Sequence, residues 1–419
     1  MPAIQEPKII EEAGNVRSPA VFSSFKFGVQ FWKFLIASLF FDLGMFVFAF
    51  LYNLYLLDRG MTEKTMGWIA AAMSLGTMLA TFPAGVLARK IGFRNALLCC
   101  LTLVPIISAA RAVVQSDAAL VLLALAGGAV FSIWAVCLPP TVARLTTDHN
   151  RSVGFSLIFA LGIGSGIIGG YLGGHLPSWL AHIQQGSPAT LKQSSLLLAS
   201  AFVLMGVVPC SRLAILEEPF HQTINVRPTS PYLRRFLPPV TAWSFALGIL
   251  SPFLAVYLTK NLHLELPQVG TMFSLSQFLQ MLSVLLAPRL FRRHGTLFTV
   301  TLSQIVTAVS LVGFVSFSAK PWMLASFAAM SLFQYMNEPG LYTLLMSNVR
   351  PEEQSGASAW NFFLVCGAQT VAALTAAAVI PRLGYFPVLI SSAVLMTTSA
   401  LVLYLCLRGH GLKLSESQL

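Results

Sequence analysis

Apolar residues in this chain come in long blocks, unlike the alternation of a half-buried strand or the single stripe of a water-exposed helix. A hydrocarbon core about 30 Å thick takes about 20 apolar residues to cross as a helix. The blocks at 36–57, 66–88 and 389–407 have that length. Twelve spans are predicted, near 34–57, 66–88, 95–115, 119–143, 153–175, 195–212, 236–259, 268–289, 296–317, 321–346, 356–380 and 386–407. Polar stretches, mostly short, separate them, as in a chain that crosses a bilayer repeatedly. The longest, 212–235, contains Glu217, Glu218, Pro219, His221, Pro228 and Pro231 and leaves six spans on either side.

The pattern predicts an all-α integral membrane protein with twelve transmembrane helices in two pseudo-symmetric six-helix bundles. The expected division is a cytoplasmic N-terminal tail (1–33), a first bundle (34–212), a central loop (213–235), a second bundle (236–407) and a C-terminal tail (408–419). Composition agrees. Charged residues make up 10% of the chain and hydrophobic ones 56%, whereas a soluble domain has about 25% charged residues. That is too little charge to cover a water-facing surface.

The net charge of +11 would suit a nucleic-acid partner, but the cations lie between apolar blocks and form no single basic face, so none is expected. With both termini on one side, 19 of the 26 Lys and Arg fall on that side and 7 on the other. Lys and Arg concentrate in cytoplasmic loops, which puts both termini in the cytoplasm of a multi-pass protein, expected in a bacterial inner (plasma) membrane. The sequon Asn150-Arg151-Ser152 then faces the cytoplasm, where it would carry no glycan. The N-terminus lacks a basic start and an early apolar run, so the first span is expected to be retained. All six cysteines lie inside apolar blocks without ligand spacing and read as packing residues.

The halves repeat one another. Residues 84–92 (Ala-Gly-Val-Leu-Ala-Arg-Lys-Ile-Gly) reappear as 287–295 (Ala-Pro-Arg-Leu-Phe-Arg-Arg-His-Gly). Gly67 recurs as Gly270, Leu43-Gly44 as Leu247-Gly248, and Gly154 with Ser156 as Gly356 with Ser358, all at offsets of 202–204. Parallel repeats of this kind place a substrate site between the halves near the bilayer midplane.

On these features the chain resembles the major facilitator superfamily over nearly its whole length. The family pattern after the second helix runs roughly Gly-x-Leu-Ala-Asp-Arg-x-Gly-Arg-Lys. Gly85, Leu87, Ala88, Lys90, Gly92 and Arg94 occupy compatible places, while Arg89 stands where the family has Asp. With their counterparts Arg292, Arg293 and Gly295, they are the expected gating loop. The helix 4 Arg of drug antiporters is missing, since that span has no charge before Arg144. The antiporter glycine pattern of helix 5 is approximated by Gly162, Gly166, Gly169 and Gly170, with Ile167 in place of Pro; tight helix packing is its plainer reading. The resemblance implies that helices 1, 4, 7 and 10 line a central cavity.

Of fifteen Asp and Glu, only Asp42 and Glu338 lie well inside apolar spans. A charge at the bilayer centre costs about 2.5–3.5 kcal/mol on insertion scales, so such residues are functional candidates by default. Asn53 shares the face of Asp42, three turns along. Gln334, Asn337, Glu338 and Tyr342 form a polar stripe at i, i+3, i+4 and i+8, next to the helix-weakening Pro339-Gly340. These six are the proton-coupling or substrate-binding candidates. Tyr52, Trp134, Tyr257, Gln277, Gln280, Asn361 and Gln369 are lesser cavity candidates, for each of which interhelical bonding or packing is the plainer role. No zinc-protease, hydrolase, haem or nucleotide motif occurs, so no enzyme, metal or bound cofactor is expected.

The expected activity is secondary active transport of a small organic solute by alternating access, driven by the proton gradient, in a monomer surrounded by lipid. Buried carboxylates with no buried cation favour proton coupling or a cationic or zwitterionic solute, with a lean towards export of an amphipathic compound. The alternatives are uptake of a sugar, organic acid or lipid-like solute by symport or facilitated diffusion, and a membrane sensor that does not transport.

Overall fold

The computed structural model describes residues 27–147, 150–215, 230–317, 319–350 and 353–408, without the side chains of Ser152, Lys320 and Ser355. The tails and central loop expected from the sequence fall largely outside these residues. Among the described residues the chain is helical and has no strand. The first half comprises α1 (Val29–Asp58), α2 (Glu63–Ile91), α3 (Phe93–Val113), α4 (Asp117–Leu145), α5 (Arg151–Leu180), α6 (Pro188–Met205) and α7 (Val207–Ser211). The second comprises α8 (Pro231–Leu250), α9 (Leu254–Lys260), α10 (Leu266–His294), α11 (Thr296–Ser316), α12 (Lys320–Ser347), α13 (Gln354–Leu383) and α14 (Tyr385–Leu407).

Two predicted spans are interrupted. The sixth breaks at Gly206 into α6 and α7, and the seventh breaks at 251–253 into α8 and α9. Among the described residues, eleven spans are long and apolar enough to cross a membrane. The remaining one, α12, is as long, but Gln334, Asn337 and Glu338 lower its hydropathy. Helices outrun the apolar blocks because their first and last turns are polar. The last turn of α10 holds Arg292, Arg293 and His294, where cations complement the helix dipole.

Gly92 (φ +85°) ends α2 and starts α3, and Gly295 (φ +81°) does the same between α10 and α11. A side chain is strained in that region of φ, so each joint requires glycine. The repeated Gly92 and Gly295 are thus the same hinge in the two halves.

Within the halves, α1 packs on α5 and α6, and α8 packs on α13 and α14. Between the halves, α2 packs on α13 and α5 on α10. The repeat exchanges α2 with α10 and α5 with α13, so these are one contact made twice. It is close because the repeated glycines lie in it. A Cβ on Gly67 would sit 2.3 Å from the Cβ of Ala377, and one on Gly270 would sit 2.6 Å from the Cα of Gly174. Small residues let backbones approach where lipid gives no hydrophobic drive for association.

The apolar core differs between the two sides of the membrane. Where α1 ends and α2 begins, one continuous core unites the halves, with Leu51, Leu54 and Met66 from the first and Phe253, Val256 and Phe314 from the second. On the side of the termini the core is split. Phe31, Phe34, Leu97 and Leu101 pack within the first half, and Phe236, Leu341, Leu345 and Leu403 within the second. The halves are joined on one side and parted on the other.

Gly270→Leu should force the seam open and destabilise the protein by about 1–3 kcal/mol, the usual cost of overpacking. Gly164→Ala, where a Cβ meets nothing within 4 Å, should leave stability unchanged. Thermal unfolding of the purified variants checks both; equal effects would contradict the seam.

Candidate functional site

A cavity of about 460 Å³ lies between the halves, below the joined core. Met45, Phe48, Ala49, Tyr52 and Asn53 of α1 and Ile69, Met73, Ser74 and Thr77 of α2 form one wall. Gly248 of α8, the Ser251-Pro252 break, and Phe362, Cys366, Gln369 and Ala373 of α13 form the other. Arg111 of α3 and Phe131 of α4 complete it. The wall therefore comes mainly from the first, second, seventh and eleventh spans. The tenth, expected there from the family resemblance, does not reach this cavity.

The break at Pro252 leaves its carbonyl outside the helical ladder. Asn53 Nδ2 donates to that oxygen at 2.6 Å. Non-helical backbone at membrane depth persists only where its polar groups find partners or face a water-filled space. Asn53, a proton-coupling or substrate-binding candidate, thus also bonds the halves together while lining the cavity.

Arg111 overturns the expectation that the spans hold no buried cation. It is 5% exposed. Its guanidinium stacks on Tyr52 at 4.1 Å and reaches Phe48 at 5.6 Å. Nη1 lies 3.9 Å from the Met73 sulfur, and Nε has no hydrogen-bond partner. No carboxylate among the described residues pairs with it. The sequence contains the signal, since Arg111 falls within the predicted third span, but near its end, among the seven Lys and Arg assigned to the side away from the termini. Lys192 was missed likewise; it is 9% exposed and pairs with Asp58 at 2.6 Å.

A smaller cavity of about 150 Å³ lies inside the second half, lined by α8, α12 and α13. Asn337, Glu338, Tyr342, Asn361 and Gln369 line it. Glu338 is exposed there, with no hydrogen-bond or ion-pair partner among the described residues. Asn337 is fully buried and donates to the Gln334 carbonyl of its own helix at 2.5 Å. Gln334 thus meets Asn337 through its backbone and does not line the cavity. Gln369 lines both cavities and links them.

Asp42 is half-buried one turn of α1 from Met45, towards the termini. A Cβ on Gly162 of α5 would sit 3.8 Å from its Oδ2. It too has no partner among the described residues. Both intramembrane carboxyls are therefore unpaired, one in each half.

Other candidates are placed in packing roles. Trp134 stacks on Phe41 at 4.1 Å and on Phe34 at 6.0 Å inside the first half. Tyr257 packs on Phe314 and Tyr385 in the shared core. Neither lines a cavity described here. Gln277 lies against Gly166 in the α5–α10 seam, and the buried Gln280 Oε1 has no partner. The glycines of α5 likewise serve packing, with Gly166, Gly170 and Gly174 facing α10 and Gly169 and Gly173 facing Phe46 and Phe50 of α1. In the expected gating loop, Arg89 Nε donates to the Gly85 carbonyl of its own helix end at 3.2 Å, and Arg94 donates to the Ser211 carbonyl. Gly85 and Lys90 end the same helix, and Arg292 and Arg293 end α10, exposed on the terminal side. On the far side Lys260 Nζ meets Glu63 Oε1 at 2.5 Å, joining α9 to α2 across the halves.

The profile of the Major Facilitator Superfamily matches residues 34–243 and 240–417. Among solved structures, a mutant form of the nucleoside transporter NupG superposes with a TM-score of 0.77 at 13% identity, over 90% of this chain and 99% of that one. A D-xylose-proton symporter gives 0.72 at 13% identity, over 89% and 96%. A bacterial homologue of the lysosomal transporter Spinster, inward-facing and unoccupied, gives 0.69 at 10% identity, over 90% and 97%. No curated protein matches by sequence.

Lys260→Glu replaces the Glu63 attraction with repulsion. In a background without native cysteines, Ala49→Cys should then react about two- to fivefold faster with a maleimide added on the side away from the termini, in keeping with about 1 kcal/mol for such a half-exposed pair. Adding Glu63→Lys should restore the parent rate; identical rates in all three would contradict the gate.

Proposed function

The chain belongs to the Major Facilitator Superfamily, and on that premise we propose that it is a secondary active transporter, moving a small amphipathic organic solute by alternating access and coupled to protons through Asp42 and Glu338. Transporters of this family bind small-molecule solutes and are not enzymes.

The observation that carries this reading is the divided core. A continuous apolar core closes one side, separate cores leave the halves parted on the other, and a cavity lies between. Rocking the halves about the glycine seam would close the parted side and open the joined one, exposing the same cavity in turn.

Proton coupling follows from the two unpaired carboxyls. Glu338 faces a cavity and Asp42 lies one turn from one. A carboxyl without a counter-cation is neutralised by a proton when water is withdrawn from it. Closing the terminal side would therefore favour protonation, and opening it would favour release. Because the solute cavity lies between the same halves, solute and proton share one conformational equilibrium. Arg111 removes the ground for preferring a cationic solute, and the packing role of the α5 glycines removes the ground for preferring export.

We place the chain in a bacterial inner membrane, and the Lys and Arg distribution supports an arrangement with both termini in the cytoplasm. A core shared between the two halves of one chain supports a working monomer.

Proteoliposomes containing a pH-sensitive dye test the coupling. Addition of a transported solute from a panel of amphipathic acids, amines and neutral compounds should move protons in the unaltered protein. Asp42→Asn should abolish that movement while retaining exchange of labelled for unlabelled solute. Full solute-dependent proton movement in Asp42→Asn would remove Asp42 from the mechanism.

A further inference from the structure

Arg111 has a place in the cavity that packing does not explain. Its neighbour Arg59 is engaged, with Nη1 donating to the Val114 carbonyl at 2.8 Å. Arg111 is 5% exposed and lines the central cavity, yet no carboxylate among the described residues pairs with it. Its guanidinium meets two aromatic faces, a thioether sulfur and the neutral Tyr52 hydroxyl. Aromatic stacking supports the flat face of a guanidinium but leaves its five N–H donors, which lie in the plane, to be met at the edge. A buried charge with unmet donors is costly, and removing a binding partner from such a site leaves just this arrangement.

Resting on the transporter reading above, we propose that the central cavity is a site for an organic monoanion whose carboxylate is taken by Arg111 and whose apolar body lies against Phe48, Phe131 and Phe362. The guanidinium fork matches a carboxylate with two parallel N–H donors. Tyr52, whose buried hydroxyl lies beside the guanidinium, and Gln369 add neutral polar groups to the same walls. Arg111 is the one cation among the lining residues. A single positive charge balances a carboxylate but not a phosphate monoester, which carries ~1.5–2 negative charges at neutral pH. The remaining wall is mostly apolar, which disfavours a sugar acid bearing many hydroxyls, since each would lose its hydration without replacement. The volume of about 460 Å³ lies within the range of pockets that hold drug-sized ligands.

The test is isothermal titration calorimetry of the full chain in detergent with naphthylacetate, naphthylbutyrate and pyrenylbutyrate, each beside its primary amide. At least one acid should bind about tenfold or more tightly than its amide, the scale of a charged hydrogen bond. Arg111→Gln should bring that acid to the affinity of its amide and leave the amide unchanged, while Arg111→Lys should keep part of the preference. Equal binding of acid and amide by the unaltered protein, binding of none of the six, or an undiminished preference in Arg111→Gln would overturn the proposal. The comparison in the unaltered protein requires no variant to fold. Acid preference without solute-driven proton movement in proteoliposomes would sink the coupling and leave the anion site. Proton movement with no acid preference would do the reverse.

Discussion

Backbone contact between the halves is the constraint on which the rest of the structure depends. In hydrocarbon, apolar surface gains little by leaving lipid for protein, so two bundles hold together through close packing and polar bonds. Gly67, Gly174 and Gly270 allow that approach, with backbone or Cβ atoms so near that an added Cβ would overlap them. The seam places α2 on α13 and α5 on α10. That pairing creates a cavity between the halves, brings Asn53 to the open carbonyl of Pro252, and sets Lys260 against Glu63.

The same seam explains how a chain dominated by apolar residues can move. The two long contacts are equivalent under the internal repeat, so a small rotation about them strains neither half more than the other. In the proposed rocking, the states would differ in the polar and apolar closure at each end. Among the described residues the joined side has a shared core, the Lys260–Glu63 ion pair and the Asn53–Pro252 hydrogen bond between halves, and Ser274 of α10 donates to the Ile167 carbonyl of α5 along the seam. The terminal side has two self-sufficient cores, so parting the halves there leaves little apolar surface without a partner.

Much of this was legible in the residues. Block length gave the twelve spans, and the offset glycines marked both the hinges at Gly92 and Gly295 and the seam itself. The carboxyl census found Asp42 and Glu338, the two intramembrane acids that the structure leaves without partners. The misses share one cause, because a linear sequence does not say which face of a helix meets which neighbour. Trp134 and Tyr257, for which packing is the plainer reading of the sequence, face aromatic neighbours in the core. Asn53 faces a break in α8–α9 that no apolar pattern marks. Arg111 lies near the end of α3, where a cation ordinarily reaches water, and instead turns inward beneath Tyr52. The interruptions at Gly206 and 251–253 were hidden because hydropathy continues through them.

Rocking about the glycine seam is tested most directly by two spin-label distances in lipid, Arg89→Cys with Arg292→Cys on the terminal side and Lys64→Cys with Asn261→Cys on the other. As pH or solute is varied, rocking requires the populations to change reciprocally, with the terminal pair closing as the far pair opens. Two distances that stay fixed, or that lengthen and shorten together, would contradict it.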